Sequence, residues 1–267
     1  MKLLVVGSPI AHSLSPAMMT AALARADIDG TYRAIEVTAP EWDERLATWF
    51  GEGVHGMNVT VPHKERALRS ALRASDTARE IGAANTLARS DGGWIAHNTD
   101  GPGFVDWIER LGARDAARRE ALVLGAGGGA RAVVWALRRL GCARIRVSAR
   151  TAERAAALEG VHAESWGSNA PAGGLVVQCT PLGLRPHDPP AASVDQLRGA
   201  ALAIDLVYPD TPFLAAARDA GVRSAGGMGL LVAQAVRSFE IWTGIAPDPA
   251  VLEEAARREA GRRSAGH

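Results

Sequence analysis

The chain has 267 residues, 47% of them hydrophobic, with 30 Lys+Arg against 29 Asp+Glu for a net charge of +1. That length suffices for one large or two modest buried cores, and the charge balance removes any general electrostatic case for nucleic acid or an anionic membrane as partner. The cysteines Cys142 and Cys179 have no CxxC pair or clustered His, which predicts reduced core thiols in a cytoplasmic protein rather than a disulfide scaffold or a metal site.

The opening MKLLVVGSPIAHS reads as a first β-strand. Its apolar run breaks at Gly7 and Pro9, short of a signal segment or of the roughly 18 apolar residues a membrane span needs. Ser15-Pro16 predicts a helix start, with the serine as cap and the proline in the first turn. TYRAIEV and HGMNVTV read as further strands, separated by a helix from Pro40 that sets Trp42, Leu46 and Trp49 on one face. Such alternation favours a mostly parallel sheet over residues 1–100.

From Ala121 the pattern restarts with the strand ALVLG, a glycine turn, the helix ARAVVWALRRLG and the strand ARIRVSA. GLVVQCT (Gly174 to Thr180) and ALAIDLVY (Ala201 to Tyr208) supply two more strands, so residues 101–229 read as a doubly wound, Rossmann-type unit with a boundary near 100–120. After Gly226 to Gly229 come a long apolar helix and a charged one from about Asp248, expected to return to the first domain over about 230–262. The Arg-rich tail GRRSAGH is expected to fray. The fold class is therefore α/β, with two α/β domains.

Gly125, Gly127 and Ala130 match G-x-G-x-x-G/A where a strand runs into a helix, with Gly128 and Gly129 adding freedom. The first glycine permits the tight turn, and the second lets backbone approach a pyrophosphate at the positive helix end. The second strand ends in SARTAER (Ser148 to Arg154) with no acid for a ribose 2′-OH. Arg150 and Arg154, four apart, are expected on one face of the helix start, where a 2′-phosphate would be held. The dinucleotide is thus predicted to be NADP rather than NAD. Upstream of the loop, Lys64 closes NVTVPHK (Asn58 to Lys64) and Asp100 lies in HNTDG (His97 to Gly101), where it also reads as an N-cap. Two ionisable groups flanking a dinucleotide unit suggest proton transfer beside a nicotinamide ring.

With GSPIAHSLSP (Gly7 to Pro16), NVTVPHK, GAANT (Gly82 to Thr86), HNTDG, GAGGGA and GMGLLVAQA (Gly227 to Ala235) in this order, the chain resembles the shikimate dehydrogenases over nearly its whole length. The resemblance implies an N-terminal substrate domain, a Rossmann-type NADP domain and a C-terminal helix returning to the first. It implies reversible NADPH-dependent reduction of 3-dehydroshikimate to shikimate, a step of chorismate and aromatic amino acid biosynthesis. It further implies a monomer or homodimer with a small-molecule substrate, no nucleic-acid or membrane partner and no metal.

By the same resemblance Lys64 is the acid/base and Asp100 its orienting partner. Ser13 and Ser15 bind the substrate carboxylate, and Thr60, Asn85, Asp100, Tyr208 and Gln234 surround the ring hydroxyls. Gly125, Ala126, Gly127, Gly128, Gly129, Ala149, Arg150, Thr151, Arg154, Leu206 and Gly227 hold the cofactor. Some positions depart from the family's pattern: Ala149 replaces the usual asparagine, Gln178-Cys179-Thr180 replaces N-A-[ST], and His63 stands where phenylalanine is common, its charge within reach of Lys64. Two other readings share many of these residues. Against an NAD-dependent quinate/shikimate dehydrogenase stand Arg150 and Arg154, and against a dinucleotide-sensing regulator without turnover stands the retention of both Lys64 and Asp100.

Overall fold

A computed structural model describes residues 1–185, 187–208 and 210–265. The chain divides into two compact units, Met1–Asp100 with Leu231–His267, and Gly101–Leu230.

The first unit runs β1 (Lys2–Gly7), α1 (Ser15–Arg25), β2 (Thr31–Glu36), α2 (Trp42–Gly51), β3 (Gly56–Val59), α3 (Lys64–Ser70), β4 (Arg73–Ala74), α4 (Asp76–Ile81), β5 (Thr86–Ser90) and β6 (Gly93–His97). Its sheet has the order β2-β1-β3-β5-β6-β4. β1 lies parallel between β2 and β3, whereas β5 runs antiparallel to both β3 and β6. The antiparallel pair turns at Asp91-Gly92, where Gly92 takes a φ of +83° that glycine adopts without a Cβ clash. Trp42, Leu46 and Trp49 of α2 bury their shared face against Leu4, Val6, Met57, Val59 and Leu87, so the helical spacing maps onto one core.

α5 (Asp100–Arg110) carries the chain into the second unit, which runs α6 (Arg114–Arg119), β7 (Glu120–Leu124), α7 (Gly128–Leu140), β8 (Arg144–Ser148), α8 (Ala152–Ala156), β9 (His162–Glu164), β10 (Leu175–Gln178), α9 (Val194–Leu197), β11 (Leu202–Asp205), α10 (Pro212–Asp219) and β12 (Ser224–Ala225). Its strands are parallel throughout in the order β12-β11-β10-β7-β8-β9. That is the doubly wound Rossmann-type order. β10 and β11 are buried at every residue, as expected where helices cover both faces of a parallel sheet.

α11 (Met228–Thr243), from Leu231 onwards, and α12 (Pro249–Ala265) then complete the first unit, where α12 packs along α1. The tail is not frayed: α12 is helical to Ala265, and Arg263 donates to the carbonyls of Ala11 (3.1 Å) and Ser13 (3.2 Å) while pairing with Glu259. Gly266 and His267 lie outside the described residues. Ser15 is likewise not the cap of α1. It is the first helical residue, and Ser13 Oγ accepts from its N–H at 3.3 Å. Both cysteines are free thiols, but half-buried rather than in the core. Among the described residues no helix is long and apolar enough to cross a membrane.

Candidate active site

In the first unit β1 sends its connection towards β2 on one side, and β3 lies on the other. This reversal is the point at which open α/β sheets hold ligands, beyond the carboxyl ends of the strands. The loop after β1 brings Ser13, and the loop after β3 brings Thr60 and Lys64. Because β5 is antiparallel to β3, its start lies at this same edge, where the Val59 N–H donates to the Asn85 carbonyl at 2.8 Å. β6 returns to that edge and delivers Asp100. The loops are pinned to each other: Ser8 N–H donates to Val61 O and Thr60 N–H to Val6 O. A Cβ at Gly7 would lie 2.4 Å from Thr60 Cγ2, so this approach requires glycine.

Lys64 Nζ donates to Asp100 Oδ2 at 2.7 Å, with side-chain exposures of 16% and 11%. An ion pair that is nearly but not fully buried keeps an ammonium ordered while leaving it open to proton exchange. Asn85 Nδ2 donates to Asp100 Oδ1 at 2.9 Å, so both carboxylate oxygens are held from the side. Asp100 is the first residue of α5, but its side-chain oxygens go to Lys64 and Asn85 rather than to a helix cap. Gln234 reaches the group from α11, with Oε1 at 3.4 Å from Asn85 Nδ2. Ser13 and Ser15 are buried and Thr60 half-buried beside Gly7. His63 does not present its ring to Lys64: it is 1% exposed, stacks on Trp42 at 4.8 Å and donates from Nε2 to Val37 O at 2.6 Å.

In the second unit the carboxyl ends of β7, β8, β10 and β11 share one edge, with the reversal between β7 and β10. Gly125 follows β7 with a φ of +111°, and a Cβ there would lie 3.1 Å from Thr180 Cγ2. A Cβ at Gly127 would meet nothing within 4 Å, and among the described residues no side-chain cap bonds the start of α7. An anion can approach such a helix end. Gly129 and Gly227 both adjoin Leu206, a Cβ at Gly227 falling 2.3 Å from the Leu206 carbonyl oxygen. Arg150 and Arg154 are exposed and, among the described residues, their side chains make no hydrogen bond or ion pair. They do not form a helical pair, because α8 begins at Ala152 and leaves Arg150 and Thr151 in the preceding loop. These features fit a dinucleotide bearing a 2′-phosphate.

Gln178, in place of the expected asparagine, is fully buried and donates from Nε2 to the carbonyls of Thr180 (3.2 Å) and Leu182 (2.8 Å), bracing the loop after β10. Tyr208 is half-buried in the loop after β11 and belongs to the second unit, unlike the other expected substrate residues. That loop hangs on Asp205, whose buried carboxylate accepts from Val207 N–H (2.8 Å) and Thr211 Oγ1 (2.5 Å). Asp205 carried no signal in the sequence beyond its place at a strand end. Among the described residues no group of three or more His, Cys, Asp or Glu is arranged to hold a metal.

The family model described as "Shikimate dehydrogenase substrate binding domain" matches residues 5–87, and "Shikimate 5'-dehydrogenase C-terminal domain" matches residues 227–257. The chain is 40% identical, over 97% of its length and 96% of the relative's, to a shikimate dehydrogenase (NADP(+)) of Anaeromyxobacter dehalogenans strain 2CP-1. Among solved structures it is similar to the shikimate 5-dehydrogenase of Thermus thermophilus in complex with NADP(H) and shikimate, with a TM-score of 0.87, 37% identity and coverage of 97% of this chain and 99% of that one. A 5-ketofructose reductase of Gluconobacter sp. strain CHM43 in ligand-free form also aligns, at 28% identity and a TM-score of 0.82, covering 97% of this chain and 98% of that one.

Proposed function

As the chain belongs to the shikimate dehydrogenase family, we propose that it interconverts 3-dehydroshikimate and shikimate with NADPH and NADP⁺, the first unit binding substrate and the second the dinucleotide. The observation that carries this reading is the chain of contacts from Asn85 through Asp100 to Lys64 at the carboxyl edge of the first sheet. Ketone reduction needs a hydride at carbon and a proton at oxygen. The nicotinamide, when bound, supplies the hydride and becomes oxidised. Lys64 supplies the proton: its N–H bond breaks, the hydroxyl O–H forms, and the neutral amine regains a proton from solvent. Asp100 keeps the ammonium aimed, and Asn85 keeps Asp100 from rotating.

Ser13 and Ser15 are assigned to the substrate carboxylate, their hydroxyls standing at the N-terminal end of α1 where the helix dipole favours negative charge. Thr60, Asn85, Asp100 and Gln234, with Tyr208 from the second unit, are assigned to the ring hydroxyls, whose recognition calls for short donors and acceptors. Gly125 to Gly129 are assigned to the pyrophosphate, Ala149, Arg150, Thr151 and Arg154 to the adenosine 2′-phosphate side, and Leu206 and Gly227 to the nicotinamide side. The test is absorbance at 340 nm with shikimate or quinate, each with NADP⁺ or NAD⁺. Fastest turnover is expected with shikimate and NADP⁺. Fastest turnover with quinate and NAD⁺, or none in any pairing, overturns the proposal.

A further inference from the structure

We propose that Ser238, on α11 one turn beyond Gln234, is a positioning residue that locks the amide of Asn85 against Asp100. The inference rests on the reading of Lys64 and Asp100 as the proton-handling pair. Ser238 and Thr86 are 0% exposed, Thr99 2% and Asn85 3%, so their polar atoms must satisfy one another without bulk water. The orientation of Asn85 follows from its neighbours: Thr99 N–H can only donate, so the atom it meets at 2.7 Å is Oδ1. Nδ2 then spends its two protons on its two nearest acceptors, Asp100 Oδ1 and Thr99 Oγ1, both at 2.9 Å, with Gln234 Oε1 farther off at 3.4 Å.

Ser238 Oγ has one proton and two lone pairs. Its proton goes to the Gln234 carbonyl at 3.0 Å, and one lone pair accepts from Asn58 Nδ2 at 2.9 Å. Asn58 is itself fixed, its Oδ1 accepting from Tyr32 Oη at 2.7 Å. One lone pair remains for the hydroxyls of Thr86 (2.9 Å) and Thr99 (3.0 Å). The threonine that does not donate to Ser238 has Asn85 Oδ1 at 3.2 Å as its nearer acceptor, the other threonine's oxygen lying at 3.4 Å. With Ser238 present, Asn85 Oδ1 therefore receives the Thr99 N–H and one hydroxyl, which its two lone pairs can hold.

Remove the Ser238 hydroxyl and the nearest acceptor left to both threonines is Asn85 Oδ1 at 3.2 Å, closer than the 3.4 Å between the two hydroxyls. Three donors then compete for two lone pairs, the amide shifts, and Nδ2 moves off Asp100 Oδ1. Asp100 is free to rotate, and Lys64 loses its fixed direction.

The test measures hydrogen exchange of the Asn85 side-chain amide by ¹⁵N NMR, identifiable among the chain's four asparagines by Asn85→Asp, together with kcat for shikimate and NADP⁺. Ser238→Ala is expected to quicken that exchange at least about tenfold and to lower kcat about ten- to a hundredfold, as for a misaimed catalytic group, with KM for NADP⁺ unchanged. Adding Thr86→Val removes the surplus donor and leaves Asn58 Nδ2 the Asn85 carbonyl at 3.2 Å as its acceptor, so S238A/T86V is expected to recover slow exchange and part of the lost kcat. A structural role alone predicts the reverse, with the second change adding to the loss. Exchange within about twofold of the unaltered chain in S238A, unchanged kcat despite faster exchange, or a double variant worse than S238A overturns the proposal. Exchange needs no substrate, so it decides the role of Ser238 even where absence of shikimate turnover has overturned the proposed function.

Discussion

Lys64 is the residue on which the proposed chemistry turns, and its replacement separates proton transfer from binding. Lys64→Ala is expected to lower kcat by about 10²–10⁴, roughly 3–5 kcal/mol of barrier, while NADP⁺ affinity measured by calorimetry stays within about twofold. An unchanged kcat rules Lys64 out as the acid/base. Arg150 offers the complementary case. It is exposed, lies outside α8 and is held by no described partner, so its guanidinium is available to a 2′-phosphate. Arg150→Ala is expected to weaken NADP⁺ binding about ten- to a hundredfold, the worth of one charge-assisted contact, and to leave NAD⁺ binding unaltered. Equal losses for both nucleotides argue against a phosphate contact. Lys64 and Asp100 were legible because each sits in a short polar segment whose composition is odd for a loop, whereas Asn85 came only through the family resemblance. Ser238 was not legible: it lies in an apolar helical run, and only its spacing of four from Gln234 places it on the same face.

At the scale of elements, apolar periodicity was a good guide wherever an element buries one clean face. The Trp42, Leu46 and Trp49 stripe became the core face of α2, and the uninterrupted runs of β10 and β11 became central strands. The β5–β6 hairpin escaped notice because its strands are five residues each and carry Arg89, Ser90 and His97. The last turn of the C-terminal helix escaped for a different reason: the helix was expected from about Asp248, but the arginines of GRRSAGH read as a frayed tail, whereas Arg263 spends its guanidinium on the Ala11 and Ser13 carbonyls. α12 thereby clamps the loop that presents Ser13. Arg263→Ala should release that loop and raise KM for shikimate several-fold at nearly constant kcat, because it acts on the substrate carboxylate and not on Lys64. A fall in kcat with unchanged KM in steady-state assays counts against the clamp.

At the scale of the whole molecule, most ionic contacts among the described residues are exposed pairs such as Arg257 with Glu253 and Arg218 with Asp210, which contribute little to stability. Asp205 differs. It is fully buried at the end of β11, and burial pushes its carboxyl up to about 6 against the hydrogen bonds from Thr211 and Val207 that pull it down. The sign follows from linkage: a carboxyl that holds its proton more tightly when folded stabilises the fold below the unfolded value of 3.8, and that contribution is lost as pH rises through about 6. The difference amounts to about 3 kcal/mol across the window. Hydrogen-bonded surface acids such as Asp210 and Glu259 have lowered values, so their contribution has the opposite sign and disappears at lower pH. Asp205→Asn keeps an oxygen for the Val207 N–H and removes the ionisation. Urea unfolding of both forms between pH 4 and 7 should therefore give a stability difference that moves in favour of the variant as pH rises. Because Asp205 belongs to the second unit, the change should appear in that unit's transition where the two units unfold separately. A difference that stays flat across the window means the charge at Asp205 is accommodated, and the loop carrying Leu206 and Tyr208 is then held by hydrogen bonds alone.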